Sequence, residues 1–325
     1  MSDATKIAIA PRRSLLSKDV TQVLYRLLTV LVICVALSLL SESFFSLGNI
    51  LNVLRQASLN FLVASGLTLV VLTAGLDLSV GANVALSACI AGTVIHHTGS
   101  TALGVLSGLA TGAGVGLLNG LMVTMLRIPS FIATYGMLWV LNGLTYWYMA
   151  GETIHGFPPG FRQIGSGYLL GLPTPVYLLV IFLAIGTFFA QRTTWGQQIY
   201  AIGANPVAAR LSGIPVHRRL LMVYAVSGAM AGLASIVFLA RLNSAEADIG
   251  ESLTLPAIAA VLIGGTSLFG GVGTVFGTFV GALILTLVLN GMNLLQVNAS
   301  WQPFVTGIIL ILTVWLDMKS RQRAR

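Results

Sequence analysis

Charge is what this sequence most lacks. Of its 325 residues only 8% are Asp, Glu, Lys or Arg, while 56% are hydrophobic; a soluble domain carries roughly 25% charged residues. Most of the chain therefore cannot face water. Cysteine is nearly absent too. Cys34 and Cys89 stand far apart in apolar stretches, so neither a disulfide framework nor a metal site follows from them. His96, His97, His155 and His217 have no metal-ligand spacing. None of the three lysines, Lys6, Lys18 and Lys319, sits in a G-x-x-x-x-G-K-[ST] context, so there is no P-loop to hold ATP. Carriers driven by protons or ions usually place ionisable residues within their spans. Here Asp77 is the candidate near membrane depth, and the other acidic residues fall in loops or at the ends of apolar runs. A transporter with neither a nucleotide site nor a proton relay reads as part of a larger machine.

Long apolar runs are what is there. They lie at 22–41, 57–74, 79–97, 102–126 and 130–150, then at 174–190, 220–240, 253–270, 274–291 and 301–317. A spanning helix needs about 20 apolar residues. The expected fold is therefore an all-α integral membrane protein of about ten transmembrane helices. Glycine interrupts the third, eighth and ninth runs, so eight or nine spans also fit. The 36 glycines suit tightly packed membrane helices. The apolar run 27–40 follows a basic segment without a small-residue cleavage site, and reads as the first anchor.

Lysine and arginine mark the side of each loop. With ten alternating spans and a cytoplasmic N-terminus, only Arg55, Arg162 and Arg241 of the 17 basic residues fall outside. The net charge of +8 is then a topology signal, and no nucleic-acid partner is needed to explain it. The layout is a cytoplasmic tail over 1–21, a transmembrane domain over 22–317 and a second cytoplasmic tail over 318–325. Residues 151–173 form a Gly/Pro-rich outer loop. Residues 191–219 form an inner loop, in which Ala201, Ala204, Ala208 and Leu211 recur near helical spacing. That pattern reads as one short amphipathic helix, either a plain connector or a docking element for a soluble partner.

Three motifs stand out. In Ala74-Gly75-Leu76-Asp77-Leu78-Ser79-Val80-Gly81 a carboxylate and glycines break two apolar runs. Unwound backbone at membrane depth needs protein or a water-filled cavity to satisfy it, so Asp77 and Ser79 are candidates either for the solute path or for capping the next helix. Gly264-Gly265-Thr266-Ser267-Leu268-Phe269-Gly270-Gly271-Val272-Gly273 is a second break. Interrupted segments point to a transport path, which makes Gly264 and Gly265 candidates, although a helix hairpin would use glycine in the same way. Pro129 and Ser130 open the fifth run. In it Phe131, Tyr135 and Trp139 recur every four residues, lining one face that suits either a sugar path or lipid packing.

The ordered set AGLDLSVG, PSFIATYGML, WGQQIYAIGANPVAARLSGI and IAAVLIGGTSLFGGVGTVFGT resembles the ribose-type, simple-sugar family of ABC transporter permeases, from about residue 45 to 317. The resemblance implies an importer subunit of the bacterial inner membrane, without its own ATPase site or bound cofactor. Its partners would be a cytoplasmic ABC ATPase using ATP and Mg, a periplasmic sugar-binding protein, a second permease subunit, identical or not, and membrane lipid. It also implies that the loop matching Gly196–Ile214 meets the ATPase, with Gly196, Gly203, Asn205, Ala209, Arg210 and Gly213 carried over, and that a bulky residue at Gly213 stops transport. Two departures stand out. Gln197 occupies a position where arginine is frequent, and Thr254-Leu255-Pro256-Ala257 replaces an acidic E-L-D-A-like run, which bears on the solute. Alternatives are an importer permease for an autoinducer, nucleoside or amino acid, and a secondary carrier.

Overall fold

The computed structural model describes residues 15–322, with side chains described from 24 to 319. The rest of both expected tails lies outside the described residues. Helices dominate: α1 (Leu15–Leu40), α2 (Leu47–Leu72), α3 (Val80–Thr98), α4 (Thr101–Thr124), α5 (Ser130–Met149), α6 (Pro159–Ser166), α7 (Thr174–Arg192), α8 (Thr194–Ala204), α9 (Pro206–Leu211), α10 (Val216–Leu242), α11 (Thr254–Ile263), α12 (Val275–Leu294) and α13 (Trp301–Gln322). Four two-residue strands accompany them. β1 (Ile154–His155) pairs antiparallel with β4 (Ser244–Ala245), and β2 (Tyr168–Leu169) with β3 (Leu172–Pro173).

Seven helices, α2, α3, α4, α7, α10, α12 and α13, are long and apolar enough to cross a membrane. The class expected from the sequence is therefore right, but ten uniform spans are not found among the described residues. The expected eighth span, 253–270, contains a helix of only 10 residues, Thr254–Ile263. At 1.5 Å per residue it covers about 15 Å, half of a hydrocarbon core of about 30 Å. It stops because Gly265, Gly270, Gly271 and Gly273 adopt positive φ, which a continuing helix cannot accommodate. Helix α1 already begins at Leu15, ahead of the apolar stretch Leu24–Leu40.

Glycine sets the packing. Gly104, Gly108, Gly112, Gly116 and Gly120 lie four apart and are all buried along α4. Gly104 meets Ile95 of α3, and the other four face α10, where a Cβ on Gly228 would stand 2.7 Å from the Cα of Gly116, and one on Gly112 would stand 2.7 Å from the Cα of Gly232. Backbone thus meets backbone between these two helices, the close approach that small residues at four-residue spacing permit. Between α2 and α12 the contact is polar instead: Asn49 with Asn290 (2.8 Å), Asn60 with Thr286 (3.0 Å) and Thr68 with Thr278 (2.7 Å). The main core lies around α2, nearly every residue of which from Ala57 to Leu72 is buried. In contrast, α13 keeps almost no buried surface.

The chain leaves α10 at the end where β4 pairs with β1, and by Gly271 it has reached the opposite end, where the Gly271 N–H bonds the Leu72 carbonyl at 2.9 Å. That return uses a non-helical stretch, 246–253, followed by α11. The passage from α2 to α3 is also non-helical, over 73–79. Two crossings are therefore discontinuous, and they meet: the Gly81 N–H donates to the Thr254 hydroxyl at 3.2 Å, and a Cβ at Gly81 would strike the Gly250 carbonyl.

Candidate functional site

The first break is held by side chains in place of a helical ladder. The Leu76 N–H donates to the Ser130 hydroxyl (3.2 Å) and the Leu78 N–H to Thr134 Oγ1 (3.1 Å). The Leu76 carbonyl accepts from Thr134 (3.2 Å) and from Tyr224 (3.4 Å). Helices α5 and α10 thus supply what the unwound backbone needs at membrane depth. Asp77 is only 2% exposed; its Oδ1 accepts from the Ser79 N–H (3.0 Å) and from the Ser79 hydroxyl (2.7 Å), and Ser79 in turn accepts from Asn119 Nδ2 (2.8 Å). The carboxylate closes a turn two residues long just before α3, a local pattern that competes with helix. In this conformation Asp77 and Ser79 are enclosed among α4, α5 and α10.

The 191–219 segment forms two helices where one was expected, because Pro206 has no N–H to give and Asn205 before it is forced to an extended conformation. Asn205 then caps α9, its Oδ1 accepting from the N–H groups of Val207 and Ala208 at 3.0 Å each. Thr193 caps α8 through the Gly196 N–H (3.1 Å). A Cβ at Gly196 would strike the carbonyls of Phe189 and Ala190, so glycine fixes the elbow between α7 and α8. Ala209 is buried with Ile202 and Val216. On the opposite side α9 presents Val207, Arg210 and Leu211 outward, with Leu211 85% exposed. Arg219 of α10 lies over the Trp195 ring at 4.0 Å, bracing α8.

Gly203, the penultimate residue of α8, sits where the ends of both interrupted crossings meet. A Cβ there would strike the Leu72 carbonyl and stand 2.5 Å from the Gly271 N. Tyr200, one turn back, donates to the Gly273 carbonyl at 2.8 Å. The loop-borne helices are thus locked onto the C-terminal end of α2 and onto the second glycine-rich break. Gly213 differs: its φ is +79° with open space around it, so conformation and not crowding demands glycine there.

The other candidates do not converge on one path. Gly264 packs against the backbone of Gly277 and Thr278, and Gly265, at φ +77°, lies against the Arg26 guanidinium; Gly265 borders a cavity of about 590 Å³ between α1, α11 and α13. Phe131, Tyr135 and Trp139 form an exposed ladder on α5, the first two stacked with ring centroids 6.0 Å apart. They face away from Thr134, which is fully buried. Sequence reasoning missed the partners Ser130, Thr134, Asn119 and Tyr224, whose pairing with residues 76–79 is non-local. It also missed the glycine ladder of α4, although its period of four was in plain view. Gln197, one of the departures from the family pattern, bonds the Gln191 carbonyl (2.9 Å) within the elbow.

Known proteins resemble the chain along nearly all of its length. The ribose import permease protein of Escherichia coli K12 is 40% identical over 299 residues, 91% of this chain and 93% of that one. The ribose import permease protein of Bacillus subtilis is 41% identical over 302 residues, 92% and 94% of the two chains. The galactose/methyl galactoside import permease protein of E. coli K12 is 35% identical, covering 89% and 92%. No solved structure gives a significant match. Residues 49–314 match the family described as the permease component of the branched-chain amino acid transport system; with its multiple apolar helices and that match, the chain belongs to this family of multi-pass membrane permeases.

Proposed function

We propose that the chain is the membrane-spanning permease subunit of an ATP-binding-cassette importer that passes a monosaccharide, a ribose-like pentose or a hexose, into the cytoplasm by alternating access. A periplasmic binding protein delivers the sugar, a second permease subunit completes the path, and a cytoplasmic ATPase subunit hydrolyses ATP with Mg; this chain holds no cofactor of its own. Both termini and the 191–219 segment face the cytosol. The observation that carries the reading is the position of α8 and α9. One surface of this pair is free and carries an arginine between exposed apolar residues, while Gly203 and Tyr200 on its other surface touch the ends of both interrupted crossings. A partner that pulls on α9 therefore moves the breaks directly, a rigid-body coupling. The sugar is inferred from the ribose and galactose permeases that the chain resembles.

The test is reconstitution in proteoliposomes with the ATPase and binding protein encoded beside the permease. ATP-dependent uptake of labelled ribose or galactose is the expected result. A tag within 191–219 should react only from the cytosolic side; labelling from the periplasmic side alone would overturn the coupling. Uptake of leucine or of autoinducer 2 in place of sugar would keep the importer and change its solute, a second reading favoured by the family description and by the 34% identical autoinducer 2 import system permease protein of an Enterobacter strain.

A further inference from the structure

At the end away from α8 and α9 the chain encloses a cavity of about 450 Å³ between α2, α10, α13 and the start of α11, within the usual range of about 300–1,000 Å³ for small-molecule sites. Several polar groups in its largely apolar wall keep unspent hydrogen-bonding capacity. Thr306 is 3% exposed, yet its hydroxyl makes no hydrogen bond among the described residues. Elsewhere in these helices buried threonines bond the carbonyl one turn back, as Thr68, Thr124 and Thr145 do at 2.7 Å. Gln56, one turn before Asn60 on α2, is also without a hydrogen bond among the described residues. So is Arg241, whose noted electrostatic neighbour is the like charge of Arg55. Asn60 and Gln302 each commit their amide N–H, to Thr286 at 3.0 Å and to Asn293 at 2.8 Å, which leaves their carbonyls for the cavity.

A buried polar group without a partner costs about 1–3 kcal/mol, and native interiors hold few of them. Thr306 is buried and Gln56 and Arg241 are half-buried; on three helices around one space, their unused hydrogen-bonding capacity is what a polar ligand would satisfy. Resting on the permease reading above, we infer that this cavity is a transient subsite for the neutral monosaccharide, with Arg241, Gln56 and Thr306 donating to its hydroxyls and Asn60, Gln302 and Glu251 accepting from them. The solute class follows from the sugar permeases that the chain resembles, and the lining is compatible with it: hydroxyl and amide groups stand among apolar side chains such as Leu59, Leu253 and Leu289, a mixture that meets both the hydroxyls and the C–H faces of a sugar. The charged groups, Arg241 and Glu251, are one of each sign, which suits a neutral solute better than an anion. Phe238, nearly buried, adds an apolar surface for the C–H face.

The experiment uses the reconstituted importer with Thr306→Val and Gln56→Leu. Each removes hydrogen-bonding capacity from the wall with little change of size, and each should lower uptake of labelled ribose or galactose about three- to tenfold. ATP hydrolysis stimulated by the loaded binding protein should persist. A second measurement does not depend on transport: with Cys34 and Cys89 replaced by alanine, Gln302→Cys is labelled by a methanethiosulfonate reagent, and millimolar ribose or galactose should slow the labelling while leucine does not. Normal uptake by both variants, or protection by leucine or by no solute, overturns the subsite. If the wild-type assembly imports sugar and the variants do so equally well, the subsite alone fails. If the wild-type assembly imports no sugar, the function proposed above fails with it.

Discussion

Substituting valine for Gly203 would place bulk at the one point where α8 touches both interrupted crossings. The first added carbon would stand 2.5 Å from the Gly271 N, against 3.4 Å for an ordinary contact, so Gly271 must retreat by about 0.9 Å (3.4 − 2.5), and Leu72, struck harder, must move as well. That shift takes the 2.9 Å hydrogen bond between the Gly271 N–H and the Leu72 carbonyl beyond bonding distance, at a cost of about 1 kcal/mol. Overpacking adds about 1–3 kcal/mol. Concentrated at a joint near the surface, some 2–4 kcal/mol leaves the membrane core folded but moves α8 off its seat, and each 1.36 kcal/mol placed on a rate-limiting movement slows it about tenfold. ATP-driven sugar uptake by the reconstituted importer should therefore fall at least about tenfold, while the amount of inserted protein and the basal ATPase rate stay near wild type. Wild-type uptake by Gly203→Val at normal protein levels would refute the claim that α8 transmits movement through this contact.

Other substitutions separate packing, conformation and docking. Gly228→Leu should force α4 and α10 apart, since its Cβ would lie 2.7 Å from the Gly116 Cα, whereas Gly114→Leu on the outward face of α4 meets nothing within 4 Å; thermal unfolding in detergent should shift down by several degrees for the first and stay unchanged for the second. At Gly213, with φ +79° and open space, asparagine tolerates the left-handed conformation and should retain most uptake, while valine, at a cost of about 1–2 kcal/mol, should lose most of it. Equal loss with both would mean that bulk matters there after all. Arg210→Glu and Leu211→Asp both alter exposed positions of α9, so permease folding should be unaffected and co-purification of the ATPase subunit should drop; unchanged co-purification would place the docking surface elsewhere.

Much of this architecture could be read in advance where the signal is local. The break at Asp77 is visible because a carboxylate between glycines cannot continue an apolar helix, whereas the Asn205-Pro206 pair, an equally local signal, was read through as one helix. Non-local pairing was hidden. Nothing about Ser130, Thr134 or Tyr224 in their own neighbourhoods announces that they bond Leu76 and Leu78 across helix interfaces. The length of the eighth apolar run misled because average hydropathy does not register where helix stops: residues 264–273 remain apolar enough to extend the run, yet four glycines there take positive φ. The cavity between α2, α10 and α13 was hidden for another reason. Gln56 and Arg241 lie just outside their apolar runs and Gln302 and Thr306 near the start of the last one, where a polar residue usually signals only the approach of water.

The two interrupted crossings share two junctions, and these limit how the molecule can move. At one end Leu72, Gly203 and Gly271 are in backbone contact; nearer mid-depth the Gly81 N–H, the Gly250 carbonyl and Thr254 meet. Packed helices are stiff and change arrangement as units, and the backbone contact along α4 and α10 leaves that pair no room to approach further. Displacement arriving at α8 must then be taken up where hydrogen bonds run to side chains, over 73–79, and where glycine frees the backbone, over 264–274. Both segments are joined to α8 at one end and to each other through α3 and α11, so neither can shift alone. On the proposed coupling, a force on α9 would be converted into a concerted movement of the starts of α3 and α11, and Leu255 and Pro256, which border the cavity of about 450 Å³, would move with the second of these.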